Sequence, residues 1–146
     1  MVVVASAVVV VVSSAEVPDK AILDAALEQW AKLNIEEKQK KFILGPASIG
    51  LILPNVMKLG AIGGVDVRQL TTAHLFSPGT VAVLSSSGGM TNEIINTVIQ
   101  QGKRISFSLS FGGERFPMLT PEDAFLAAEK DPETKAIVYF GELGGT

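Results

Sequence analysis

Residues 85–93 read Ser-Ser-Ser-Gly-Gly-Met-Thr-Asn-Glu, between the apolar run Thr-Val-Ala-Val-Leu at 80–84 and an amphipathic stretch. Strand, small-residue turn and helix in that order point free backbone N–H groups and the positive end of a helix dipole toward an anion. Hydroxyls and glycines suit such a turn because bulky side chains would keep a ligand from the backbone. Two further small-residue turns follow strand-like segments: Gly112-Gly113-Glu114-Arg115, and residues 141–146, Gly-Glu-Leu-Gly-Gly-Thr. In open α/β sheets ligands sit beyond the carboxyl ends of strands. Three turns gathered there would place backbone donors, one cation and two acids around one crevice. Each also has a plainer reading: a tight βα turn for residues 85–89, a surface ion pair for Glu114 and Arg115, and a solvated strand end for Glu142. Lys58 reads as a surface lysine on the same terms, and the only histidine, His74, as a loop residue.

The elements that would carry these turns follow from periodicity. Met90, Ile94, Ile95, Val98 and Ile99 mark one helix face, stopped by Gly102. Ile105, Phe107, Leu109 and Phe111 alternate with Ser106, Ser108 and Ser110, which predicts a strand of period two. Thr120-Pro121-Glu122-Asp123 combines an N-cap, an N1 proline and first-turn acids, and opens a helix containing Phe125 and Leu126. Ala136-Ile-Val-Tyr-Phe140 predicts the last strand. Upstream, the valine run of residues 1–12 reads as a strand buried on both faces. It lacks a charged n-region and is shorter than the roughly 20 residues of a membrane helix. Ile22, Ala26, Trp30 and Leu33 repeat at helical spacing, and Phe42-Ile43-Leu44 is a second short strand. From Ala47 to Pro78 periodicity is weak and glycine frequent, which reads as a loop-rich connection with one short strand near residues 56–59. Strands alternating with helices predict an α/β fold, a parallel sheet with flanking helices of flavodoxin-like or Rossmann-like type.

Composition narrows the functional classes. The 146 residues are 47% apolar, enough for one domain with a sizeable core. A net charge of −3 and 6% aromatics give no basis for nucleic acid or an anionic membrane as partner. With no cysteine, disulfides, thiolate metal sites and cysteine nucleophiles are excluded. No targeting segment is evident, which makes a cytoplasmic setting the expectation.

The three turns, at this spacing, resemble the CoA-ligase family of ATP-citrate lyases and succinyl-CoA synthetase α chains. Residues 85–93 are similar to the Ser-Arg-Ser-Gly-Gly-Met-Ser-Asn-Glu of the lyases. Residues 112–117 are similar to Gly-Gly-Asp-Arg-Tyr-Pro, and 141–146 to Gly-Glu-Ile-Gly-Gly-Thr. Gly45-Pro-Ala-Ser-Ile-Gly50 and Lys58-Leu-Gly-Ala-Ile-Gly-Gly64 resemble the family's Gly-Pro-Ala-Thr-Val-Gly and Lys-Ile-Gly-x-x-Gly-Gly. Ala15-Glu16-Val17-Pro18-Asp19 is similar to Ala-Glu-Gly-Ile-Pro-Glu with one residue missing.

The resemblance implies part of an ATP-dependent acid–CoA ligase or citrate-cleaving enzyme. In that family ATP activates a carboxylic acid through a phosphohistidine, and the acyl group passes to CoA. By likeness, Ser85, Ser87, Gly88 and Gly89 would bind phosphate at the N-terminus of the helix that follows. Glu142 would contact the phosphohistidine, with Glu16 as a second catalytic acid. Gly112, Gly113, Arg115 and Lys58 would line the substrate or CoA crevice. CoA, ATP and Mg²⁺ are the implied cofactors of the full assembly, with no metal site in this chain. The likeness divides the chain into residues 1–50, the end of a CoA-binding Rossmann-like unit; 51–77, a connecting segment; and 78–146, the first half of a flavodoxin-like ligase domain. Ser86 stands where the family usually has arginine, and the phosphorylated histidine would lie beyond residue 146. The chain is thus expected to be a truncated piece or a split subunit, inactive alone. Its partners would be an ATP-grasp subunit or the missing CoA-binding and phosphohistidine segments, in a homo- or hetero-oligomer. The other reading of the same residues is a non-catalytic α/β module that binds an anion or forms a subunit interface.

Overall fold

The computed structural model describes residues 7–10, 28, 32, 41–44, 48–112 and 119–141. Glu16, Gly113, Arg115 and Glu142 lie outside these residues, and of the tryptophan-bearing helix expected over 22–33 only Glu28, which is helical, and Lys32, whose N–H donates to Glu28 O at 3.3 Å, are described. The described residues form two sheets. Strands β1 (Ala7–Val10) and β2 (Lys41–Leu44) pair in parallel. The larger sheet has five strands: β3 (Gly50–Leu53), β4 (Met57–Gly60), β5 (Val81–Ser85), β6 (Ile105–Ser110) and β7 (Ala136–Phe140), in the order β4-β3-β6-β5-β7. Three helices belong to the described residues: α1 (Val67–Thr72), α2 (Gly88–Gln100) and α3 (Pro121–Lys130).

The expected parallel arrangement holds for β6-β5-β7. The β3–β4 hairpin joins β6 in the antiparallel sense, so the sheet is mixed. Residues 48–78 are therefore more ordered than the loop-rich connection their glycines predict, while the strand expected near residues 56–59 is β4. They hold a hairpin and a short helix. Two of those glycines, Gly50 and Gly60, face each other across the hairpin with φ of 113° and 80°. A Cβ on Gly50 would strike the Leu59 carbonyl, so the glycines permit close strand pairing here instead of breaking it. The hairpin loop turns at Pro54 and Asn55, with Asn55 left-handed at φ 64° and Val56 N–H donating to Leu53 O at 3.0 Å. That is the geometry in which proline precedes a positive-φ residue in a tight turn.

The sheet buries two faces. On one, Leu51, Ala82, Leu84, Leu109 and Phe111 pack with Leu44, Leu119 and the α3 alanines Ala124 and Ala128. On the other, Ile52, Val81, Val83 and Ile105 pack with Ile95 and Val98 of α2 and with Ile62 and Leu75. All five residues of β5 are buried, as a central strand covered on both sides requires.

Ile105 does not share a face with Phe107 and Leu109, as strict alternation predicts. The β5–β6 register steps from Val81↔Ile105 to Ala82↔Phe107, leaving Ser106 as an extra residue. Such a bulge moves the following side chains to the opposite face. Ser106 Oγ lies 2.6 Å from Thr134 Oγ1, which itself donates to Asp131 Oδ2 at 2.6 Å. Ser106 is thus the donor to Thr134. The helix faces also differ in detail from expectation. Met90, Phe125 and Leu126 are exposed, whereas Thr91 is buried and alanines make the α3 contact.

Core position and surface position should separate cleanly in denaturation. Leu84→Ala, at a fully buried site, is expected to cost about 2–5 kcal/mol in urea unfolding. Leu126→Ala, on the outer side of α3, should change stability by no more than about 0.5 kcal/mol.

Candidate functional site

At the carboxyl end of β5 the chain turns into α2 within three residues, and hydroxyls make the turn. Ser85 Oγ accepts the Ser87 N–H at 3.0 Å and donates to Ser87 O at 2.9 Å. Ser87 is the N-cap, with Met90 N–H reaching its Oγ at 3.5 Å. Thr91 completes the first turn: its N–H and its Oγ1 both donate to Ser87 O, at 3.0 and 2.5 Å. Ser86 N–H donates to Phe140 O at 3.0 Å.

These bonds leave a definite set of donors. The Ser87 N–H, expected to face a phosphate, is taken by Ser85. Among the described residues no acceptor meets the N–H groups of Gly88 or Gly89. Gly89 is exposed, and a Cβ built on it would meet nothing within 4 Å. Gly88 is closed on one side, where its Cβ would come 2.6 Å from Ile49 Cγ2. The helix behind them is 13 residues long with no acid in its first turn. Two donors without an acceptor among the described residues, and a dipole of roughly half a positive charge, therefore lie at the start of this helix.

The roots of the three turns meet at this strand end. Phe111, next to Gly112, donates its N–H to Ser85 O at 3.0 Å, and Gly112 is buried with φ of 84°. Phe140, at the root of the third turn, holds Ser86 as described. Gly113, Arg115 and Glu142 fall outside the described residues. Lys58 is apart from this point: β4 lies three strand spacings from β5, about 14 Å. Its Nζ donates to Gly60 O at 2.6 Å, and desolvation by burial lowers its pKa from 10.5. His74 is exposed and takes the left-handed position ending α1, with Leu75 N–H returning to Leu70 O at 3.0 Å. It plays a helix-terminating part.

Polar residues that periodicity did not single out support the rim. Ser48 Oγ donates to Ser110 O and accepts the Gly50 N–H at 2.8 Å. Ser108 Oγ donates to Val83 O at 3.0 Å. Ser110 Oγ is buried with no partner among the described residues. Asn92 Oδ1 accepts the Gly63 N–H at 2.7 Å. Its position four residues after Gly88, on the same helix face, was the available sequence signal. Among the described residues no cluster of His, Cys, Asp or Glu could hold a metal, and no helix is long and apolar enough to cross a membrane.

Ser85→Ala removes both bonds to Ser87 in a fully buried place and is expected to cost about 1–3 kcal/mol in chemical denaturation. For Lys58 the sign runs through the protonated form. Folding disfavours its charge, so the unfolded chain binds more protons between the lowered value and 10.5. Stability therefore rises with pH across that window, and Lys58→Met should flatten the rise in alkaline melting curves.

Residues 84–146 match the CoA-ligase family. The chain is 37% identical over 115 residues to a probable ATP-citrate synthase subunit 1 of Schizosaccharomyces pombe, covering 78% of this chain and 18% of that protein. It is 38% identical over 104 residues to the human ATP-citrate synthase, covering 71% of this chain and 9% of the relative. In structure it superimposes on ATP citrate lyase from Methanothrix soehngenii, solved in complex with citrate and coenzyme A. The TM-score is 0.75 at 28% identity, over 94% of this chain and 21% of the other. The chain thus spans about a fifth or less of these three proteins. Residues 84–146 are thus similar to the CoA-ligase family, and the chain as a whole is similar to a part of the ATP-citrate synthases and of ATP citrate lyase.

Proposed function

We propose that this chain supplies the phosphate-binding helix N-terminus and part of the CoA or acyl-phosphate crevice of an ATP-dependent acid–CoA ligase or citrate-cleaving enzyme. The observation that carries the reading is the pair of N–H groups on Gly88 and Gly89 that have no acceptor among the described residues, at the mouth of a 13-residue helix, with open space beside Gly89. A phosphoryl group fits that arrangement. It brings several acceptor oxygens and a negative charge to donors and a dipole that lack a counterpart. The likeness to a lyase solved with citrate and coenzyme A supports the same reading.

Each part of the chain has a role on this reading. Gly88 and Gly89 hold the phosphoryl oxygens through the backbone. Ser85 and Ser87 consume the neighbouring donors and so fix where the remaining two point. Gly112 and Gly113 keep the second turn small beside the strand end, and Arg115 pairs with a carboxylate or phosphate. Glu142 orients and stabilises an imidazole presented from another segment, and Glu16 serves as a further acid. Bound CoA would supply the thiol that accepts the acyl group. ATP and Mg²⁺ belong to an ATP-grasp portion of the larger assembly.

Calorimetric titration of the chain with phosphate, CoA and citrate tests this. Binding of phosphate or CoA is expected, and silence toward all three would overturn the reading. Gly89→Asp sharpens the test. A carboxylate in the first helical turn should leave thermal stability unchanged or raise it, because it favours the helix dipole. The same charge would repel a bound anion, and phosphate affinity should fall about tenfold or more.

A further inference from the structure

Beside the mouth of α2 lies the loop of residues 60–64, joined to the helix by one long-range bond. Gly63 donates its N–H to Asn92 Oδ1 at 2.7 Å, across 29 residues of sequence. Because an N–H can only donate, this contact fixes which end of the Asn92 amide faces the loop. A helical side chain leans toward the N-terminus of its helix, which brings Asn92 back over the Gly88 turn. The loop is held from behind as well. Ile62 is fully buried and donates its N–H to Ile49 O at 3.1 Å, and Ile49 is the residue packed on Gly88. Gly63 has φ of 74°, and a Cβ there would come 2.6 Å from Leu75 Cδ1. Helix mouth, Ile49 and glycine loop therefore form one connected junction in which Asn92 is the only described side-chain bond from α2 to the loop.

We infer that Asn92 is a positioning residue for an anion at the mouth of α2, acting through Gly63. By latching the loop to the first helical turns it fixes one wall of the opening above Gly88 and Gly89. This rests on the anion-binding reading given above. If the latched arrangement binds phosphate better than the unlatched one, phosphate must in turn favour the latch, because coupling between two equilibria is reciprocal. A bond that only stabilises the fold would gain no more protection from phosphate than any other amide that exchanges through global unfolding.

The test uses the full chain and inorganic phosphate, with affinity read by calorimetry and the Gly63 amide by hydrogen exchange. In the unsubstituted protein, phosphate is expected to slow Gly63 exchange. Asn92→Leu removes the acceptor at similar size. It should bind phosphate roughly threefold to tenfold more weakly, the loss of one hydrogen bond's worth of positioning. Its Gly63 amide should exchange faster and ignore phosphate. Asn92→Asp, which keeps an acceptor oxygen, should retain Gly63 protection. Phosphate binding with no effect on Gly63 exchange would overturn the latch even if Asn92→Leu failed to fold, and so would a folded Asn92→Leu that binds as tightly as the parent. If the parent itself ignores phosphate, the anion-binding reading fails and takes this inference with it.

Discussion

The exchange of two hydrogen bonds between Ser85 and Ser87 is the constraint on which the site depends. A strand ending in the middle of a sheet must find partners for its last amides, or leave them buried and unpaired. Here Ser85 Oγ takes one, Phe140 O takes another, and Ser85 O receives Phe111 N–H from the neighbouring strand. The chain is thereby forced into α2 at Ser87, and the first donors without an assigned acceptor are those of Gly88 and Gly89. Where the helix opens is a consequence of hydrogen-bond accounting at the strand end. The glycines then leave that opening unobstructed.

The rest of the fold holds that strand end in place. β5 is covered on one face by α2 and on the other by the side carrying α3, and it is paired on both edges. It cannot shift along its axis without unpacking both cores. The hairpin adds a restraint from the far side of β6. Gly50 and Gly60 allow β3 and β4 to come close, which places Ile49 against Gly88 and Ile62 beneath the glycine loop. A single-residue bulge at Ser106 sends Ile105 into the α2 core and Phe107 into the other. Both cores therefore share one strand of mixed polarity. Of its serines, Ser108 satisfies the carbonyl of Val83 on the neighbouring strand.

Much of this was legible in the residues. The valine-rich β5, the small-residue turn and the Ile95–Val98 stripe announce strand, turn and helix by period alone. The α3 start at Thr120 is a capping box with proline at its first position, and the structure shows both reciprocal bonds to Asp123. What escaped was encoded in pairs of distant residues. Gly50 and Gly60 look like loop markers singly and become a strand-pairing device only together. Pro54-Asn55 between two apolar runs was a turn signal, hidden by the glycines around it. The bulge at Ser106 has no local signature, because it is set by register against β5. Among the site residues, the glycine pair could be read from the turn. The loss of the Ser87 donor could not, since it depends on the Ser85 rotamer. Likewise, Lys58 sits in a glycine-rich motif close to the loop, yet strand order carries it away from α2.

A site made of backbone dipoles has a consequence for what it can hold. Among the described residues only Ile49 comes within 4 Å of a Cβ built on Gly88 and nothing does for Gly89, so an anion there would be met by two N–H groups and a helix end. Charge at a helix terminus contributes about 0.3–1 kcal/mol when exposed, and up to about 2 when partly buried. That is enough to orient a phosphoryl group and too little to retain it against water. Tight retention needs fixed positive charge from elsewhere, such as Arg115 or a neighbouring segment. On the ligase reading, weak holding is useful in its own right. A group that must arrive, transfer and leave is better served by preorganised donors than by a strong ion pair, because the donors cost little reorganisation and form no deep trap. On that reading Gly88 and Gly89 would supply donors of that kind, and the serines before them and the surrounding sheet fix their direction.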